Sequence, residues 1–83
     1  MSELTAEQTQ YITDQVNAQA GFQFVAASVS GVDKLVLQFI RPTGASGGLN
    51  EPSKGNKDWL TDDAQFKAVA DSAVANMVKH FST

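Results

Sequence analysis

The sequence predicts a small α+β domain in the order helix–strand–strand–helix. Three observations carry that expectation. Apolar residues recur at three- and four-residue spacing over 62–81, the pattern of an amphipathic helix. Two runs rich in Val, Phe, Leu and Ile, 22–30 and 34–41, flank a short stretch with turn chemistry. The chain is 83 residues long, which allows one domain spanning 1–83. Alanine accounts for 11 of its apolar residues, and Leu, Ile, Val and Phe together number 20, so an ordered but thin core is expected.

Residues 4–20 read as the first helix. Thr5-Ala6-Glu7-Gln8 fits a capping box, in which Gln8 reaches back to the Thr5 backbone. Leu4, Tyr11, Ile12, Val16 and Ala20 form a narrow apolar stripe, and Gly21 stands where a helix ends. The charges here are Glu3, Glu7 and Asp14, with no base among them. They read as a solvated face.

Residues 22–30 and 34–41 form an antiparallel hairpin across Ser30-Gly31-Val32-Asp33. Side chains alternate along a strand. Phe22, Phe24 and Ala26 therefore share one face with Leu35, Leu37 and Phe39. Val25, Ala27 and Val29 share the other with Val36, Gln38 and Ile40. Two helices cover one face of a hairpin, not both. The second face, apolar apart from the glutamines, calls for a cover: a second copy of the chain, a foreign partner, or the loop folded back.

Residues 42–58 read as a long loop with both prolines and four of the six glycines, and a mobile connector is expected there. A short strand around Leu49 would be confined by Pro52 to a sheet edge. Residues 62–81 read as the second helix. Thr61 is the N-cap candidate, Asp62 and Asp63 occupy the first turn, and Lys79 and His80 the last. Phe66, Val69, Ala70, Ala73, Val74, Met77, Val78 and Phe81 make its apolar stripe. Trp59 and Leu60 anchor its start.

Many chemistries are excluded or left without support. With no cysteine there is no disulfide, thiolate nucleophile or cysteine-held metal. A single histidine, His80, cannot build a histidine-rich metal site. The net charge of −3 disfavours binding to phosphate backbones and to anionic membranes. No apolar run approaches the length of a membrane span, and residues 1–7 lack the basic start and apolar stretch of a signal peptide, so the cytoplasm is the expected location. Gly44-Ala45-Ser46-Gly47-Gly48 matches the letters of a nucleophile elbow but not its strand–turn–helix context. The adjacent Asp62 and Asp63 point in different directions on a helix and serve as caps, not as an acid/base pair. The double-stranded-RNA-binding domain runs helix, three strands, helix. This chain departs from it by lacking a clear third strand and a basic start to the last helix.

The functional expectation is a non-enzymatic protein-interaction module, an accessory or inhibitory protein that binds another protein and pairs as a homodimer. It needs no metal or cofactor and has no catalytic residue. Its interaction face is Val25, Ala27, Val29, Val36, Gln38 and Ile40. The alternative is a small anionic ligand held in the 41–57 loop by Arg41, Lys54 and Lys57 around a backbone nest at Gly47 and Gly48.

Overall fold

The computed structural model describes residues 4–82; Glu3, counted above with the first helix, lies outside them. The chain runs α1 (Ala6–Asn17), β1 (Gln23–Ser30), β2 (Lys34–Ile40), β3 (Ser46–Pro52) and α2 (Asp63–Phe81). The α+β class and the expected helices and hairpin are all present. A third strand is added where a loop was expected.

α1 starts at the capping box. The Gln8 N–H donates to Thr5 Oγ1 at 3.1 Å, and the Thr5 N–H donates to Gln8 Oε1 at 2.9 Å. The helix is shorter than the 4–20 stretch. It gives way to a turn that Gly21 completes at φ 86°, where a Cβ would stand 2.9 Å from Pro42 Cβ. α2 is capped by Asp62, one residue later than expected, whose side chain accepts from the Gln65 N–H at 3.1 Å. Asp62 binds the orphan amide more strongly than a hydroxyl because its oxygen is charged.

The sheet is antiparallel throughout, in the order β1-β2-β3. The β2–β3 connection is a tight turn. The Gly44 N–H donates to the Arg41 carbonyl and the Arg41 N–H to the Ala45 carbonyl, both at 2.8 Å. Pro42 sits second in the turn, where its fixed φ fits, and Gly44 follows at φ 90°, a conformation glycine adopts without strain. The expected 42–58 loop is thus a hairpin arm plus a short return segment. That segment is tied down as well: the Ser53 N–H donates to the Asp33 carbonyl at 2.7 Å, and Trp59 Nε1 donates to the Val32 carbonyl at 3.2 Å.

Both helices pack on one face of the sheet, α1 against β1 and α2 against β3 and β2. Between the layers lie Ile12, Val16, Phe22, Leu35, Leu37, Phe39, Trp59, Phe66, Val69, Ala70, Ala73 and Met77. β2 supplies the centre, with Leu35, Leu37 and Phe39 wholly buried. Phe39 meets Phe22 and Phe81 edge-on, with centroids 5.8 and 5.0 Å apart, while Trp59 stacks on Phe66.

One irregularity corrects the expected faces. The β1–β2 register shifts between Phe24 and Ala26, the signature of a β-bulge at Val25. Phe24 is paired with Phe39, but beyond the bulge Ala26 pairs with Gln38, Ala27 with Leu37 and Val29 with Leu35. An extra residue inverts the alternation that follows it. Ala27 and Val29 therefore pack against the core, and Ala26 turns outward. With β3 in place the element order is helix, three strands, helix, and α2 opens on Asp62 and Asp63.

Candidate functional site

Among the described residues no element covers the outer face of the sheet. β1 contributes Gln23, Val25, Ala26 and Ser28; β2 contributes Lys34, Val36, Gln38 and Ile40; β3 contributes Ser46, Gly48 and Asn50. Val25, at the bulge on this uncovered face, is 52% exposed. Gly48 pairs with Gln38 and carries no side chain, so a depression of about 540 Å³ opens beside it. Val25, Gln38, Ile40 and Ser46 rim that depression. Of the expected interaction face, Val25, Val36, Gln38 and Ile40 lie here. Ala27 and Val29 do not, for the reason given. The face is consequently mixed: four apolar side chains, Val25, Ala26, Val36 and Ile40, among polar ones.

The expected anion site does not assemble. Arg41 stands at the β2–β3 turn, its guanidinium 5.5 Å from the Phe81 ring centroid. Lys54 lies beyond Pro52, at the other end of β3. Seven strand residues at about 3.3 Å each separate the two by roughly 20 Å. Lys57 is exposed in the return segment with Lys54. Gly47 and Gly48 are extended strand residues with no positive φ, so their amides point to opposite sides instead of converging in a nest. Gly47 has a steric duty instead. A Cβ there would lie 2.8 Å from Phe39 Cε2 and 3.2 Å from the Arg41 stem.

Two polar arrangements escaped the sequence reading. The first is Glu51, 4% exposed, which faces α2 from β3. Its carboxyl oxygens accept from Ser72 Oγ at 3.1 Å and Asn76 Nδ2 at 2.6 Å. Ser72 and Asn76, four apart along the edge of the α2 apolar stripe, were the available signal. The second is the seam between the helices. Tyr11 from α1 donates its hydroxyl to Asp71 Oδ1 at 2.8 Å and packs edge-on against Phe66. Lys67 Nζ lies 5.4 Å from the Tyr11 ring centroid and 3.0 Å from Asp63. Burial, the hydrogen bond to Asp71 and the charges of Asp71 and Asp63 push the Tyr11 phenol up from 10.0 to about 12.

His80 is exposed in the last turn of α2, and Ser46 is exposed at the start of β3. Among the described residues, no three His, Cys, Asp or Glu side chains are grouped to hold a metal ion, and no helix is long and apolar enough to cross a membrane. The chain matches no family model, and no curated protein or solved structure is detectably similar to it.

Proposed function

We propose that this chain is a non-enzymatic protein-interaction module of the cytoplasm, a small accessory or inhibitory protein that pairs with a second copy of itself through its bare sheet face. The observation that carries this reading is the outward set Val25, Ala26, Val36 and Ile40 on a sheet whose other face holds both helices. A solvated antiparallel face is ordinarily polar along its length. Both edge strands also lack an outer neighbour among the described residues, which leaves backbone groups open to pairing.

Three strands about 4.8 Å apart and seven residues long present roughly 300 Å² in projection. That is well below the ~800 Å² per partner of a standard interface. The pairing is therefore weak and concentration-dependent. Light scattering from low to high micromolar concentration should show mass rising from one chain to two and persisting in high salt. Ile40→Lys should weaken the association at least tenfold while the helical circular dichroism is retained. A single-chain mass at every concentration, or identical behaviour of wild type and Ile40→Lys, would sink the self-pairing.

A further inference from the structure

Most glycines of this chain are needed by its own fold. Gly21, Gly31 and Gly44 hold positive φ, and Gly47 leaves room for the Phe39 ring. Gly48 is different. Its φ is not positive, and a Cβ there would meet the Leu37 carbonyl oxygen at 3.4 Å and Gln38 Cγ at 3.9 Å, both ordinary contacts. A glycine inside a strand weakens it, and one that the chain's own packing does not require marks a close approach from outside. Gly48 lines the depression of about 540 Å³ on the outer sheet face. Strand stability is thus given up where it keeps this hollow open.

The charge and the size of the face decide what fits the hollow. Among the described residues the outer face carries one charge, Lys34, four residues along β2 from Gln38 and roughly 13 Å away. Arg41, next to Ile40, holds its guanidinium 5.5 Å from the Phe81 ring of α2, on the inner side. The hollow is lined by neutral groups and suits a neutral apolar side chain. The same face presents one: Val25, half-exposed at the bulge of β1. Ala26 pairs with Gln38 and Gln38 with Gly48, so Val25 and Gly48 stand on either side of Gln38, two strand spacings or ~10 Å apart. A two-fold axis along β2 at Gln38 sets β1 of one copy over β3 of the other. Each Val25 then faces the other copy's Gly48, and the two Gln38 amides, each with donors and an acceptor, face one another on the axis. A flat face of roughly 300 Å² is small for a dimer. Two side chains seated in two hollows add buried surface that a flat face lacks.

We propose, resting on the self-pairing reading above, that Gly48 is the seat for Val25 of a second copy, so that two sheet faces lock by a reciprocal pair of knobs and hollows. The measurement is the dissociation constant of the full chain by sedimentation equilibrium. Gly48→Val fills the hollow. It should weaken pairing at least tenfold, while its melting temperature in dilute solution stays at or above that of wild type, because valine is the better strand former. Gly48→Ala adds only the Cβ; it should lose at least threefold and makes the same test should Gly48→Val fail to fold. Val25→Ala should also lose at least threefold. The decisive chain carries Val25→Ala and Gly48→Val together, which moves the knob to β3. Its pairing should return to within threefold of wild type. The axis brings both copies of Lys34 to one end, so raising salt should strengthen pairing. If Ile40→Lys disrupts pairing and Gly48→Val does not, the seat is overturned and the self-pairing reading stands. A wild type that stays a single chain at every concentration overturns both. A double variant that pairs no better than Gly48→Val, or pairing that weakens as salt rises, overturns this arrangement.

Discussion

β1 lies beneath α1 and β3 beneath α2, and the two edge strands are joined to the core by different chemistry. β1 is held by side chains of its own. Phe24, Ala27 and Val29 pack on the core, Phe22 is buried just before it, and the Phe24 N–H donates to Asn17 Oδ1 of the α1 end at 2.9 Å. β3 offers Gly47, Gly48, Asn50, Glu51 and Pro52, residue types depleted from strands. It is kept in place by what surrounds it: Leu49 on the core, the Phe39 ring filling the space above Gly47, and the Glu51 carboxyl bonded to Ser72 and Asn76. In β1 a one-residue slip would turn its apolar set outward, so burial holds the register there; in β3, with Leu49 its one large apolar side chain, the Glu51 carboxyl and its two donors add a polar register mark. An inward acid and a terminal Pro52 also make β3 the better guarded edge.

This difference can be broken at β3 most sharply with Gly47→Val. The added side chain would run into Phe39 and Arg41, and overpacking of this kind costs about 1–3 kcal/mol. Urea denaturation should place the loss at the upper end of that range; no change would mean Phe39 is free to move aside. Glu51→Ala comes next. It removes the charged acceptor of two part-buried hydrogen bonds, at about 1.5–3 kcal/mol, whereas Glu51→Gln keeps an acceptor and should cost less. Hydrogen exchange is the discriminating readout. β3 amides should speed up in Glu51→Ala while β1 amides hold; equal loosening of both edges would erase the contrast.

The smallest effect concerns the seam that joins the two halves. Tyr11 of the α1 half is bonded to Asp71 of the α2 half. Its folded value lies above the ordinary one, so the folded state keeps the proton longer than the unfolded chain. The resulting stability is fully present below pH 10 and is lost as pH rises from 10.0 to about 12. A phenolate absorbance titration should show the raised midpoint, and Asp71→Asn should move it part of the way back. A midpoint that stays put would mean burial alone sets it and the Asp71 charge contributes nothing.

Legibility in the sequence followed the same division. α2 is found within a residue of its expected limits because eight apolar positions keep helical spacing. The β1–β2 hairpin is legible because strand formers flank a turn on both sides. Pro42-Thr43-Gly44 was a turn signal for the second hairpin, but Gly47 and Gly48 hid the strand behind it, since glycine has no propensity to read. The face assignment failed at one residue. A bulge at Val25 leaves the periodicity of each fragment intact and only shifts their phase, which a pattern read along one strand does not register. Of the six residues expected on one sheet face, Val25, Val36, Gln38 and Ile40 do lie on the outer face, while Ala27 and Val29 turn inward. The depression between the helices was not legible, because its two walls lie about sixty residues apart along the chain.

By itself, the amino-acid order determined the α+β class, both helices, the capping box of α1, the first hairpin and the negative charge. All of these depend on spacing and propensity within about twenty residues. The tertiary structure decided the rest. It made β3 a strand by giving Glu51 its donors and Gly47 its ring, turned Ala27 and Val29 inward, and set α1 beside α2 to open a groove. The reason is physical: a weak strand former takes its conformation from the partners that satisfy its buried groups, and those partners lie far off in sequence.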